Sequence, residues 1–398
     1  MIEVKEALAI ILGQMADFGT EEVPLYESLN RILREDWILD RDLPPYDRVT
    51  MDGIAINFQQ FENGKREFHV EGVSAAGSPQ MTLSNPENCL EVMTGVSLPV
   101  NTDTVIRYED VEIKDGVARV MIDDIVKQQN IHFKGIDKKE GSVIVPEYTK
   151  IGTPEIGIGA SIGKLRVKVA RFPKVMIIST GDELVEIDQT PEPYQIRRSN
   201  VYRLKTTLLN LGIHTDTSHL EDDKDTLEKY LSEYLEKYEV LILSGGVSAG
   251  KFDFLPEIFN KLGVKKHFHK IRQRPGKPFW FGVYHDKCHV FAFPGNPVSS
   301  FVCLNRYFLP WLERSLGVPE GQQPKAILKD DVPFKPDLTY FLEVKLEYDN
   351  EGRIWADPKM GNGSGDFTNL VNADAFIELP RGKDLYIKGE VYPIFLYR

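Results

Sequence analysis

Three apolar runs between residues 175 and 293 each stop at a glycine turn, and no other feature constrains the fold as strongly. Val175-Met176-Ile177-Ile178 runs into Ser179-Thr180-Gly181-Asp182. Val240-Leu241-Ile242-Leu243 runs into Ser244-Gly245-Gly246-Val247-Ser248-Ala249-Gly250. His289-Val290-Phe291-Ala292-Phe293 runs into Pro294-Gly295-Asn296-Pro297. Short apolar runs bounded by turn formers read as strands buried on both faces. Amphipathic helices are expected between them. One spans 199–211, with Val201, Leu204 and Leu208 on one face, Ser199 as cap and Gly212 as stop. The other spans 222–238, through Leu227, Leu231 and Leu235. This alternation predicts a doubly wound parallel sheet with right-handed crossovers. Residues 279–283 and 289–293 are expected to add a hairpin to it. Asn296 should cap a helix starting at Pro297, which Pro310 should kink or end.

The flanking text differs. Residues 3–17 and 25–40 show helical spacing. Leu43-Pro44-Pro45 then breaks any helix, and from 54 to about 130 only short β runs and turns follow. After Pro324 the chain is β again, with Asp349-Asn350-Glu351-Gly352 as a hairpin turn. A chain of 398 residues exceeds one ordinary core. The expected division is an N-terminal domain of 1–42 plus 138–172, an inserted all-β domain of 43–137, a central α/β domain of 173–322, and a barrel-like C-terminal β domain of 323–398.

Net charge is −12, which argues against a nucleic-acid partner. No apolar run is long enough for a membrane helix, and the N-terminus lacks the pattern of a signal peptide. Three widely spaced cysteines with no C-x-x-C argue against zinc or iron–sulfur and fit a reducing cytoplasm. His267 and His269 share one strand face and are expected to be structural.

The chemistry concentrates at the carboxyl edge of the expected sheet. The turn holding Ser244, Gly245, Gly246 and Ser248 can offer backbone N–H groups to phosphate. Arg274 and Lys277 flank a stiff Pro-Gly and would meet an anion with little loss of entropy. Asp182, Glu183, Asp222, Asp223 and Asp253 all follow strand ends or open helices. Gathered beside phosphates, they suit Mg²⁺. Asp222 and Asp223 could equally serve a helix N-terminus.

These motifs, with Pro275-Gly276-Lys277-Pro278, Thr50-Met51-Asp52-Gly53 and Met93-Thr94-Gly95, resemble the molybdopterin molybdenumtransferase family, that of the gephyrin E domain. The likeness runs through nearly the whole chain in order. It implies an enzyme that takes adenylylated molybdopterin and molybdate, needs Mg²⁺, releases AMP and works as a homodimer. It also suggests a molybdopterin adenylyltransferase as a possible partner. By position, Asp52, Thr94, Asp137, Glu183, Asp222, Asp253, Lys277, Pro294 and Pro297 match the family's functional set, and Ser364 would contribute from a C-terminal loop. The chain departs from the pattern at 132–136, at Arg274, where lysine is common, and at Leu342, which takes the place of a frequent arginine. Arg107, Arg197 or Arg198 are candidates to replace lost cations. The rival readings are an adenylyltransferase-like enzyme and an inactive scaffold on the same fold.

Overall fold

The computed structural model describes residues 1–247, 254–361 and 363–398. The chain divides into two compact units, one of residues 1–34, 148–156 and 166–398, the other of 35–147 and 157–165.

The second unit is built on a six-stranded sheet. Its order is Thr104–Arg107, Gly53–Ile56, Cys89–Val92, Glu67–Ser74, Val117–Val120 and Val111–Lys114. Ile54, Ile56, Phe68, Cys89 and Ile106 form its core and are fully buried. A short helix, Phe58–Glu62, interrupts the β text, capped by the Asn57 side chain on the Gln59 N–H.

The first unit holds the expected α/β sheet. Strands β1 (Val175–Thr180), β2 (Thr215–Leu220), β3 (Val240–Ser244), β4 (Lys265–His269), β5 (Trp280–Tyr284) and β6 (Cys288–Phe293) lie in the order β2-β1-β3-β6-β5-β4. The first four in that order are parallel. The hairpin partner β5 runs antiparallel to β6, and β4 runs antiparallel to β5. Residue alternation sends Ile177, Ile242 and Phe291 to one face, against Leu204 and Leu208 of α1 (Ser199–Asn210). It sends Ile178, Leu243 and Val290 to the other. There they meet Leu227 and Leu231 of α2 (Lys224–Lys237) and Ile258 of α3 (Leu255–Lys261). Each such aliphatic side chain contributes about 1.5–3 kcal/mol on full burial. Both faces must therefore be covered, and the apolar runs of β1 and β3 follow from this.

Several local expectations are corrected. Residues 25–40 are not a helix: a single turn, Leu25–Ser28, is followed by Asn30 at φ +65°. Ile32 and Leu33 then bridge to Lys150 and Val169, so strand partners override the helical spacing. The first helix ends at Leu12, at the Gly13 cap. Ser199 is the first helical residue of α1 rather than its cap, which is Arg198. Helix α4 (Pro297–Cys303) begins at Pro297 as expected, with Asn296 as N-cap. Pro310 does not end it. The chain passes through a π-helical stretch, Leu304–Phe308, and continues as helix Leu309–Leu316 to Gly317. The widened turn falls where the proline ring would strike the carbonyl four residues back.

The C-terminal β domain is a closed five-strand barrel. Strands β7 (Lys325–Leu328), β8 (Thr339–Tyr348), β9 (Ile354–Pro358), β10 (Ala375–Leu379) and β11 (Val391–Leu396) pair in the order β8-β9-β7-β11-β10. β10 then pairs back to β8. Strand β8 is buried on both sides: Leu342 and Val344 fill the barrel, while Phe341 joins the core of the α/β domain. Gln273–Arg274 adds in parallel to Thr339–Tyr340. Arg306, beyond α4, reaches Glu378 of β10 at 2.8 Å, with both side chains nearly buried. Leu342 therefore holds no position for a cleft cation. It is 0% exposed inside the barrel, and its neighbour Glu343 points the other way.

Candidate active site

A cavity of about 440 Å³ opens at the carboxyl ends of β1, β3 and β6. Glu183, Asp222, Ser244, Gly245, Gly246, Pro294 and Pro297 line it. A second cavity of about 850 Å³ is lined by Arg274, Lys277, Pro294, Ser364 and Asp366. Pro278, Pro294 and Asn296 border both, so the two form one cleft. Crevices of this kind form outside the carboxyl ends of parallel strands.

The first cavity is shaped by close backbone approach. Gly245 has φ +112°, and a Cβ there would lie 2.8 Å from the Thr180 carbonyl oxygen. Its N–H donates to the Phe293 carbonyl at 3.1 Å, joining the turns after β3 and β6. Asn200, at the start of α1, locks the same corner. Its Nδ2 donates to Ser244 Oγ at 2.9 Å and to the Gly295 carbonyl at 2.6 Å. Arg203, one turn on, donates from one nitrogen to Asn200 Oδ1 at 2.9 Å, the Pro297 carbonyl at 2.6 Å and Ser300 Oγ at 3.0 Å. Burial pulls its pKa down to about 10. A cation so placed behind the cleft wall raises the local positive potential. Neither residue stands out in the sequence. Asn200 follows a polar turn, and Arg203 is a charge beside the apolar face of α1.

The acidic residues divide by role. Glu183 and Asp222 line the first cavity. Asp182 turns to the Asp222 backbone, accepting its N–H at 3.0 Å. Asp223 is the N-cap of α2, accepting from the Thr226 N–H at 2.8 Å. Ser248 and Asp253 lie outside the described residues. Among the described residues no three His, Cys, Asp or Glu side chains close into a metal cage. Two cleft carboxylates still suit Mg²⁺, which takes one or two carboxylates and completes its shell with water and substrate phosphates.

At the second cavity the expected cations are present. Arg274 and Lys277 are exposed and form no ion pair among the described residues. Ser364 is held by Asn296, whose Nδ2 donates to its Oγ at 2.8 Å, and its own carbonyl accepts from the Val298 N–H at 3.2 Å. Of the candidate replacement cations, Arg197 and Arg198 both line the first cavity. Arg198 is taken by Glu186, and Arg107 by Asp110 at 2.6 Å.

Family models describe the chain from end to end. Residues 2–163 match the MoeA N-terminal region (domains I and II), 176–314 a probable molybdopterin binding domain, and 325–397 the MoeA C-terminal region (domain IV). A molybdopterin molybdenumtransferase from Synechocystis is 41% identical over 401 aligned residues, covering 100% of both chains. The chain belongs to the molybdopterin molybdenumtransferase family.

A Staphylococcus aureus member is 30% identical over 99% of this chain and 95% of its own. The crystal structure of a molybdopterin biosynthesis MoeA protein from Pyrococcus horikoshii OT3 superposes with a TM-score of 0.84 at 27% identity, over 100% of both chains. As a member of this family of transferases, the chain acts in molybdenum cofactor biosynthesis. The remaining site residues named from the family lie in the second unit. Asp52 accepts from the Thr94 N–H at 2.6 Å and its hydroxyl at 2.8 Å, and these bonds, the backbone one first, hold its pKa below the ordinary value. Asp137 is engaged by His132 Nε2 at 3.0 Å, while Arg48 meets His132 Nδ1 at 3.1 Å. With both ring nitrogens occupied, this histidine orients Asp137.

Proposed function

We propose that the chain transfers molybdenum from molybdate to the dithiolene of adenylylated molybdopterin, with loss of AMP. The observation that carries this reading is the continuous cleft. Its first half offers the Ser244–Gly246 turn and two carboxylates, and its second half offers Arg274 and Lys277. The backbone turn at Ser244–Gly246 holds a phosphate of the substrate, and Asn200 fixes that turn. Arg274 and Lys277 bind the oxyanion, with Ser364 set beside them. Glu183 and Asp222 would hold Mg²⁺, which supplies charge neutralisation at the phosphoanhydride when bound. The same reading includes a homodimer in the cytoplasm, fed by a molybdopterin adenylyltransferase. Light scattering that finds only monomer would remove the dimer from it. The reaction is tested by mixing the protein with adenylylated molybdopterin, molybdate and Mg²⁺ and measuring AMP. Lys277→Ala should lower AMP release at least tenfold. No AMP from the wild type, or undiminished release from that variant, refutes the assignment.

A further inference from the structure

Strand β8 carries a carboxyl where an anion pocket would be expected to carry none. Glu343 is 7% exposed and faces away from the barrel interior. It lines a recess of about 40 Å³ with Arg274, Val298, Gly361, Gly363 and Ser364. Arg274 and Ser364 also line the larger cavity next to it, so the recess is a side chamber of the cleft. The space exceeds that of one water. No side chain hydrogen-bonds or pairs with the Glu343 carboxyl among the described residues.

The groups around it define its charge state. Arg274 comes alongside on the added strand but lies over the Phe334 ring, 6.0 Å from its centroid. Lys359, whose N–H donates to the Glu343 carbonyl, turns its ammonium to Asp357 at 2.7 Å. Asp366 approaches from the loop, and Tyr340 and Tyr397 are neutral hydroxyls whose pKa values burial raises further. Burial first, then the negative Asp366, push the Glu343 pKa up to about 7, against the opposing pull of its own backbone N–H.

We propose that Glu343 is a specificity-determining residue that enters the pocket as a neutral acid and donates its O–H to an oxyanion bearing no proton of its own. This rests on the reading that the Arg274–Lys277–Ser364 cavity takes the oxyanion. An ionised carboxylate would repel such a ligand, whereas the neutral acid adds a donor to those of Arg274 and Lys277. Binding then draws one proton from solvent onto Glu343. Molybdate, tungstate and sulfate, fully deprotonated near neutrality, are favoured over hydrogen phosphate, which brings a proton that the acid must face.

Calorimetric titration of the full chain with sodium molybdate, at pH 6.0 and 8.5 and in buffers of different ionisation enthalpy, tests this. Wild type should weaken roughly 30-fold between the two pH values, because only the protonated fraction competes for ligand. It should take up close to one proton at pH 8.5 and little at pH 6.0. Glu343→Gln, a permanent donor, should bind at both pH values within about threefold of wild type at pH 6.0, with no proton uptake. Glu343→Ala should be about tenfold weaker than wild type at pH 6.0, having lost a hydrogen bond to an anion. If Glu343→Gln keeps the proton uptake, or Glu343→Ala binds as tightly as wild type at pH 6.0, the proposal fails. Should Lys277→Ala abolish binding in that case, the oxyanion site itself stands. No molybdate binding by wild type at either pH overturns both.

Discussion

Asn200 and Arg203 should prove energetically coupled, and a double-mutant cycle measures by how much. Burial pulls the pKa of Arg203 down to about 10, which puts the cost of burying its charge at about 3 kcal/mol. The two N–H groups of one guanidinium nitrogen, shared among three acceptors, offset that cost, a hydrogen bond from a charged donor being worth about 1.5–3 kcal/mol. Asn200→Ala removes one of them and leaves the cation half-solvated. It also removes the neutral bonds to Ser244 and Gly295, worth about 1 kcal/mol each. The expected loss is about 3.5–5 kcal/mol in the presence of Arg203. In an Arg203→Met background only the neutral bonds remain to lose, about 2 kcal/mol. The coupling energy should therefore be about 1.5–3 kcal/mol, read from urea denaturation of the four proteins. If the two substitutions add to within about 0.5 kcal/mol, the corner is not held as described.

Two further outcomes follow from the barrel. The Glu343 carboxyl has a raised pKa, about 7 against an ordinary 4.5, so the folded protein binds its proton more tightly than the unfolded chain. The stability this gives is complete below about pH 4.5 and is lost as pH rises through 7. Wild type should therefore fall behind Glu343→Gln by up to about 3 kcal/mol between those limits, and a pH-independent difference in denaturation midpoint contradicts the assignment. Leu342→Arg should abolish cooperative unfolding of the barrel or cost at least about 4 kcal/mol, because it puts an unpaired charge in a closed interior. A mild effect with improved anion binding would mean that position 342 faces the cleft after all.

The α/β sheet was legible because its strands are covered on both faces. Nothing but an unbroken apolar run fits β1, β3 or β6, and each glycine turn marks where a run leaves the sheet. The helix at Pro297 was legible for a local reason, a cap followed by a proline that lacks only an N–H the helix does not use. The failures share a different cause. Ile32 and Leu33 have helical spacing with their neighbours, yet their partners lie more than a hundred residues away, and nothing local announces Lys150 or Val169. Pro310 was read by the rule for an α-helix, and a π-helical stretch changes the geometry that the rule assumes. At β8 the usual alternation is masked, since Phe341 and Leu342 are both buried, one outside the barrel and one within. The register was therefore open by one residue, which is the whole difference between Leu342 and Glu343. Asn200 and Arg203 act through bonds to turns that sequence alone does not bring together.

The barrel is attached to the α/β domain by more than its connecting peptide. The segment after Gly317 runs exposed through residues 319–324 before β7 begins. What holds the domains is the strand Gln273–Arg274 laid along β8, the Phe301–Phe376 ring contact with centroids 5.9 Å apart, and the nearly buried Arg306–Glu378 pair. Covalent continuity there is dispensable in physical terms. A chain nicked within 319–324, or supplied as two co-expressed fragments joined at that point, would retain the interface as a complemented heterodimer, with Arg274 on one fragment and Ser364 on the other.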